Sequence, residues 1–260
     1  MNAAIERIRL YAKQLKLPTV AHPEQLLREA HASQWSYEEL LAQLLQAEAE
    51  QRKENQRKRR IKAAKFPLLR TLDTFELENL EHVKPETIWS LADNNYIRRH
   101  ENIICMGNPG MGKTHLSIAL GILACNDGFR VRFYSAPALA NELVEAQENH
   151  SLSRLQRQLS KVDLLILDDL SYLSFSRQQS ELLFQVISER SERASLVIST
   201  NLEFSKWVQF FGDPMLTAAL VDRVTHRAHI QHEWGILPPQ RREGTTSQGG
   251  SVLNGRVDHF

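Results

Sequence analysis

The sequence predicts an α/β fold in which helices cover both faces of a parallel five-stranded sheet. Short aliphatic or β-branched runs alternate with helical patterns, which is typical of parallel strands joined by crossover helices. The predicted strands are residues 102–106, 131–134, 162–167, 196–199 and, last, a segment near 228–232. The helices between them cover residues 113–124, 139–148 and 177–192. Polar residues follow three of these strands, at the sheet edge where ligands of α/β proteins bind.

The composition is that of an average soluble globular protein, with 42% hydrophobic and 24% charged residues in a chain of 260. No apolar run approaches the ~20 residues that span a bilayer. The first residues contain no apolar stretch of a secretory signal. Cys105 and Cys125 lie in apolar surroundings, which suits reduced, buried thiols. We therefore expect a cytoplasmic protein.

A small all-α domain is predicted before the sheet, over residues 1–66. Its helices cover residues 2–16, 24–31 and about 37–64, and Pro67 sets the end of the third, because the residue before a proline avoids helical geometry. The first half of the long helix should pack on the other two helices, and its second half should project charge. A linker and an amphipathic helix at 87–99 follow over residues 67–100, then the α/β domain over 101–243 and a disordered tail over 244–260. Trp35, Trp89 and Trp207 lie in apolar stripes and are predicted to be core residues.

Charge is strongly segregated, although the net charge is only +1. Residues 51–70 carry a net charge of +8, and the other 240 residues carry −7. Seven cations would surround nearly the whole circumference of the long helix: Arg52, Lys53, Arg57, Lys58, Arg59, Arg60 and Lys62. Such a helix suits the phosphate backbone of a nucleic acid. The alternatives are a solvated helix end or an RNA tether.

A phosphate-binding loop follows the first predicted strand and begins the next helix. The pattern G-x-x-x-x-G-K-[ST] is matched by Gly107, Asn108, Pro109, Gly110, Met111, Gly112, Lys113 and Thr114. Backbone amides of such a loop converge on a β-phosphate at a helix N-terminus. Lys113 is expected to reach the β- and γ-phosphates of a nucleotide, and the Thr114 hydroxyl is expected to bind Mg²⁺.

About 55 residues after this loop, an apolar strand ends in two aspartates, Asp168 and Asp169. The pattern matches a Walker B element, with Asp168 directed toward Mg²⁺ and Asp169 toward the attacking water. Asn201 ends the following strand and would position water at the γ-phosphate. Aspartate and asparagine also end strands at ordinary turns, which is the structural alternative.

The runs GNPGMGKTHL, LLILDDLSYL, VISTN and LVDRVTHRAHI resemble the ATPase core of the AAA+ superfamily, in the DnaC/IstB group of its initiator clade. The N-terminal segments WSYEELLAQLLQAEAEQR and KAAKFPLLRTLDTF are also similar to IstB proteins, the ATP-binding helpers of bacterial insertion-sequence transposases. The resemblance covers residues 1–235. It implies an ATPase that uses ATP and Mg²⁺, forms homo-oligomers with ATP at subunit interfaces, and binds duplex DNA and a transposase.

The resemblance also implies roles for further residues. Arg223 lies where the family places an arginine that enters the neighbouring subunit's ATP site, with Arg227 as the second candidate and a salt bridge to Asp222 as the structural alternative. Arg154, Arg157 and Lys161, at i, i+3 and i+7, match a helix that lines the DNA path in this clade. Asp169 stands where most members have glutamate. Only Arg241 and Arg242 are candidates for a sensor II arginine.

Three other functions remain open at this point. A replicative helicase loader of the DnaC type would share the ATPase core and prefer single-stranded DNA. A non-hydrolysing scaffold would use ATP only to hold subunits together. A small-molecule kinase would need a substrate lid that the sequence does not indicate.

Overall fold

The computed structural model describes residues 3–75, 85–170, 174–191, 193–232 and 235–237. The predicted disordered tail, the predicted domain end at residue 243, and Arg241 and Arg242 lie outside these residues. Within the described ranges, no helix is both long enough and apolar enough to cross a lipid bilayer.

The N-terminal part contains the three predicted helices, α1 (Ala3–Gln14), α2 (Glu24–Ala32) and α3 (Tyr37–Ala64). Helix α3 begins where the Ser36 hydroxyl accepts a hydrogen bond from the Glu39 amide, and it ends at Lys65, which is left-handed with φ 58°. Buried Glu48 holds this region together, because its carboxylate accepts from the Thr19 amide at 2.8 Å and from Arg52 at 2.9 Å.

The second half of α3 does not simply project into solvent. It packs against helix α6 (Lys113–Asn126) and against strand β2 (Val131–Ser135) of the α/β domain. Ala64 is fully buried there, and Arg132 caps the helix by donating to the Ala63 carbonyl at 3.0 Å. The prediction that this half projects charge is therefore wrong for the side that faces the α/β domain, where apolar burial outweighs solvation of the helix.

The α/β domain contains five parallel strands, as predicted, and a sixth short antiparallel one. The strands are β1 (Asn102–Met106), β2 (Val131–Ser135), β3 (Leu164–Asp168), β4 (Ser195–Thr200), β5 (Ala228–His232) and β6 (Gly235–Leu237), in the spatial order β2-β3-β4-β1-β5-β6. Strand β6 pairs antiparallel with β5 and extends the sheet at one edge. Because β3, β4 and β1 are parallel neighbours in the middle of the sheet, the residues that follow them lie together at the carboxyl ends of the strands.

The helices agree broadly with the predicted segments. They are α4 (Pro85–Ala92), α5 (Asn95–Arg98), α6 (Lys113–Asn126), α7 (Ala136–Glu148), α8 (Leu152–Leu159), α9 (Arg177–Arg190), α10 (Val208–Phe211) and α11 (Pro214–Thr225). The single helix expected at 87–99 is divided into α4 and α5 by Asn94, which is buried and left-handed with φ 59°. Asparagine adopts this conformation more readily than most residues.

Side chains of the central strands alternate between two apolar clusters, one on each face of the sheet. Ile103 and Ile166 pack with Leu116 of α6 on one face, while Ile104 and Leu167 belong to the cluster on the other face. This alternation follows from the two-residue period of a strand. Trp207 is buried in the core, as expected, and Trp35 is half-buried, but Trp89 is 54% exposed, so its predicted place in the core is wrong.

Candidate functional site

The glycine-rich loop joins the buried end of β1 to the first turn of α6. Gly110 and Gly112 are left-handed, with φ values of 86° and 81°. A Cβ on Gly112 would also lie 2.9 Å from Cε2 of Phe75. Both positions therefore require glycine, for backbone conformation and, at Gly112, for space.

Lys113 lies inside the curve of this loop. Its ammonium group donates to the main-chain carbonyls of Gly107 and Asn108, each at 2.8 Å. The residue is buried, and this burial lowers the pKa of its ammonium group. The loop is thus wrapped around a desolvated cation, which is the arrangement that an entering phosphate group requires.

The Asp168 carboxylate lies beside Thr114, the residue after Lys113. The Thr114 hydroxyl donates to this carboxylate, at 2.9 Å from Oδ2 and 3.1 Å from Oδ1. Burial raises the pKa of the Asp168 carboxyl, and hydrogen bonds from Ser199 and Thr114 oppose that shift. A carboxylate and a hydroxyl oxygen are the hard donors that Mg²⁺ prefers, so these two residues fit the predicted ion.

Asp169 has a different environment from its neighbour. Its backbone is left-handed with φ 53°, and its side chain is exposed beyond the end of β3. Asn201 directly follows β4, the neighbouring strand, and is half-buried. The structure thus brings the phosphate loop, both aspartates and Asn201 to one edge of the sheet.

Ser199 also belongs to this group of residues, although its role is not evident from the sequence. Its hydroxyl donates to Asp168 Oδ1 and accepts from the Asp169 amide at 3.0 Å. The available signal was a serine that directly follows three aliphatic residues, Leu196, Val197 and Ile198, in the same strand.

A cavity of about 510 Å³ opens beside the phosphate loop. Its other wall is the segment 67–75, which was predicted to be part of a linker. Arg70 and Phe75 of this segment line the cavity together with Met111 and His115. The His115 ring joins the two walls, because Nε2 lies 3.0 Å from the Thr71 carbonyl. The segment before the α/β domain is therefore part of the candidate site.

Arg223 lies on the exposed side of α11. Its guanidinium group stacks on the ring of Phe184 from α9, 4.9 Å from the ring centroid. Arg227 lies in the turn after α11 and is also exposed, while its carbonyl accepts from the Asn102 amide at 2.7 Å. Both candidate arginines are thus presented on the surface of the chain.

The cations of α3 fall into two groups. Four make contacts within the chain: Arg52 pairs with Glu48, Arg57 and Lys58 pair with Glu54, and the Arg60 guanidinium donates to the Cys125 carbonyl at 2.8 Å. Lys53, Arg59 and Lys62 are exposed, and their side chains have no hydrogen-bonding or ion-pair partner in the described part of the chain. The cations are thus distributed around the helix as predicted from the sequence, and docking on α6 occupies one side of it.

A second cationic surface lies on and after α8. Arg154 and Arg157 are exposed on this helix, and Lys161 is exposed two residues after its last residue, Leu159. The helix is thus shorter than the predicted spacing requires, and Lys161 lies in a turn. The three cations nevertheless line one shallow groove together with Gln158.

Comparison with solved structures shows a shared fold. The crystal structure of the DnaC helicase loader superposes with a TM-score of 0.50 and 21% identity, over 62% of this chain and 95% of that one. The replication initiator DnaA bound to AMPPCP and single-stranded DNA gives a TM-score of 0.51 and 20% identity, over 62% of this chain and 50% of that one. Both likenesses support the AAA+ P-loop fold.

Comparison with known sequences shows the family. A model of the IstB-like ATP binding proteins matches residues 10–235. The insertion sequence IS21 ATP-binding protein of Pseudomonas aeruginosa is 34% identical, over 90% of this chain and 89% of that protein. The insertion sequence IS5376 ATP-binding protein of Geobacillus stearothermophilus is 35% identical, over 86% of this chain and 90% of that protein. Since the family match spans most of the chain and includes both the phosphate loop and the residues of β3, the chain belongs to the family of IstB-like ATP-binding proteins.

Proposed function

We propose that this protein is an ATP-dependent DNA-binding ATPase that assembles on duplex DNA and recruits or stimulates a transposase there. The observation that carries the proposal is the contact of Thr114 with buried Asp168 next to the desolvated ammonium group of Lys113. Relatives named for insertion sequences support a role in transposition. The exposed cations of α3 and α8 support the DNA-binding part.

The nucleotide chemistry follows from the residues at the sheet edge. Lys113 would exchange its two carbonyl partners for the β- and γ-phosphate oxygens of ATP, and the amides of the loop would bind the β-phosphate. Thr114 and Asp168 would hold Mg²⁺, which when bound neutralises phosphate charge. Asp169 is exposed and ionisable, so it can orient and deprotonate the attacking water, while Asn201 holds that water in place.

Arg223 would complete the site of a neighbouring subunit. Its exposed position on α11 suits a residue that acts in trans, where a fixed guanidinium stabilises the charge of the transferred phosphoryl group. ATP would then lie at the interface of a homo-oligomer, and nucleotide binding would control assembly.

The DNA contact would be made mainly with phosphates. Six exposed cations that form no ion pair among the described residues are available for it: Lys53, Arg59, Lys62, Arg154, Arg157 and Lys161. If all six met phosphates, the logarithm of the affinity would fall with the logarithm of salt concentration with a slope of about −5. Such contacts carry little sequence information, which suits largely sequence-independent binding.

Sedimentation with duplex DNA and ATP tests the proposal. Lys113→Ala should remove nucleotide binding, and Arg223→Ala should keep it, and both variants should fail to form ATP-dependent oligomers on DNA. Arg227→Ala tests whether the second candidate arginine is the one required for assembly. Arg99→Ala, at the exposed residue directly after α5, is the control. Normal assembly by both the Lys113 and the Arg223 variants would contradict the proposal. Co-sedimentation of the transposase from the same insertion sequence tests that partner.

One observation favours a second candidate function. Asp169 is a methylene group shorter than the glutamate typical of the superfamily, which would suit a scaffold that binds ATP without hydrolysing it. Release of phosphate measured with and without duplex DNA decides between the two. A helicase loader would instead prefer single strands in competition with duplex DNA of equal length.

A further inference from the structure

We propose that Ser199 is a positioning residue that orients Asp168 toward Mg²⁺ and thereby sets the Mg²⁺ concentration at which the protein binds ATP. The inference rests on the proposed function, since it requires that the phosphate loop binds ATP together with Mg²⁺. Ser199 lies in β4, the strand that pairs with β3.

Ser199 is 1% exposed and contacts three consecutive residues at the end of β3. Its hydroxyl donates to Oδ1 of Asp168 and accepts from the Asp169 amide at 3.0 Å. Its carbonyl accepts from the Leu170 amide, also at 3.0 Å. These contacts continue the pairing of β3 with β4 beyond the last backbone pair, Leu167 with Ile198.

The direction of the Ser199 proton follows from these partners. A hydroxyl has one proton and two lone pairs. Because the Asp169 amide occupies a lone pair, the proton is directed to the carboxylate of Asp168, which cannot donate when ionised. Ser199 therefore holds one oxygen of Asp168, while Thr114 lies nearer to the other, and rotation of the carboxylate is restricted from both sides.

The same hydroxyl contacts the two aspartates in different ways, through the side chain of Asp168 and the backbone of Asp169. Asp169 adopts a left-handed backbone with φ 53°, which turns its side chain out of the sheet into solvent. The bond from its amide to Ser199 satisfies a donor that this turn takes out of the β-ladder. One serine thus keeps Asp168 directed to Thr114 and Asp169 exposed. Partners that orient a metal ligand change metal affinity about 10- to 100-fold when removed.

The test measures nucleotide binding rather than turnover. A fluorescent ATP analogue is titrated at a series of Mg²⁺ concentrations and in EDTA, and thermal unfolding is followed for each variant. Ser199→Ala should raise the half-saturating Mg²⁺ concentration about tenfold and leave binding in EDTA unchanged. Ser199→Cys keeps the shape of the side chain at a slightly larger volume and has only a weak donor and acceptor, so its Mg²⁺ requirement should resemble that of the alanine variant. Ser199→Thr keeps the hydroxyl and should remain near the wild type.

Ser195→Ala is the matched control. Ser195 is buried in the same strand, but its hydroxyl donates to the Tyr96 carbonyl, 3.2 Å away, and in the described part of the chain it makes no hydrogen bond to Asp168 or Asp169. This variant should lose stability without a change in the Mg²⁺ requirement. An unchanged Mg²⁺ requirement in Ser199→Ala, or an equal loss of binding in EDTA, would overturn the inference. A wild-type protein that binds no nucleotide would instead overturn the proposed function.

Discussion

Arg60 of α3 donates through Nε to the main-chain carbonyl of Cys125, in the last turn of α6, across 2.8 Å. Helix α6 begins at Lys113 of the phosphate loop, so the cationic helix packs directly on the helix that carries the candidate ATP site. Arg57 adds a bond to Asn126 at 3.3 Å, and Ala64 is fully buried in the same interface.

Neighbouring arginines of α3 should therefore have different roles. Arg60→Ala should lower the free energy of unfolding by about 1–2 kcal/mol, because a partly buried hydrogen bond from a charged group is lost. Arg59 is exposed, so Arg59→Ala should leave stability unchanged and reduce the salt slope of DNA binding by about 1. Thermal unfolding and fluorescence anisotropy at several salt concentrations measure the two effects. Equal stability of both variants would contradict the role assigned to Arg60.

Gly121 should be intolerant of substitution, although alanine favours a helix. A Cβ there would lie 2.8 Å from Cε1 of Phe66 and 2.8 Å from Cδ1 of Ile166. We expect Gly121→Ala to destabilise the protein by about 1–3 kcal/mol, since overpacking outweighs the propensity gain.

A double-mutant cycle checks the cause of this effect. Phe66→Leu removes the ring, so the cost of Gly121→Ala should be smaller in the Phe66→Leu background than in the wild type. Additive changes in the unfolding free energy would show that the two residues do not compete for the same space.

Stability of the N-terminal helices should depend on pH through Glu48. Burial raises the pKa of Glu48, but hydrogen bonds from Arg52 and Thr19 together outweigh it and hold the pKa below its ordinary value. The ionised form therefore contributes stability above the unfolded-state pKa of about 4.3, and this is lost as the pH falls through the lower folded-state value.

Glu48→Gln isolates this contribution. The difference in thermal midpoint between the wild type and Glu48→Gln should be largest near neutral pH and should shrink in acid. Glu50→Gln, at an exposed position of the same helix, is the control and should show no such trend. A difference that grows as the pH falls would have the wrong sign for a depressed pKa.

Asp169→Asn should separate ATP binding from hydrolysis. Asparagine tolerates the left-handed backbone that Asp169 adopts with φ 53°, so the fold and nucleotide affinity should be retained. Loss of the carboxylate should lower the hydrolysis rate about 10²- to 10⁴-fold if it acts as the general base. Phosphate release and nucleotide titration are the two measurements, and a variant that hydrolyses ATP at the wild-type rate would exclude this role.

Local patterns in the sequence were sufficient for the main architecture. Buried strands such as residues 164–167 are aliphatic throughout, and the polar residues after them mark the sheet edge, so the approach of Thr114 to Asp168 followed from motif and topology. Ser199 was missed because serine near a strand end has many ordinary roles, and only the neighbouring strand shows which aspartates it contacts.

Long-range packing explains the features that the sequence did not predict. Arg59 and Arg60 are equivalent in the sequence, and only the contact of Arg60 with Cys125, 65 positions later, distinguishes them. The segment ending at Phe75 has no strong periodicity, yet Phe75 lies against Gly112. Trp89 lies in an apolar stripe but is exposed, because the sequence pattern does not determine whether another element packs over that stripe.

The packing of α3 on α6 fixes the distance between the cations and the phosphate loop within one subunit. The cationic helix α3 and helix α6, which begins in the phosphate loop, are therefore expected to move together. In an assembly of such subunits, the rotation and rise from one ATPase core to the next would be repeated by the cationic helices. If these helices bind duplex DNA as proposed, the duplex would follow the helical pitch of the protein, and the geometry of the DNA would report the geometry of the assembly.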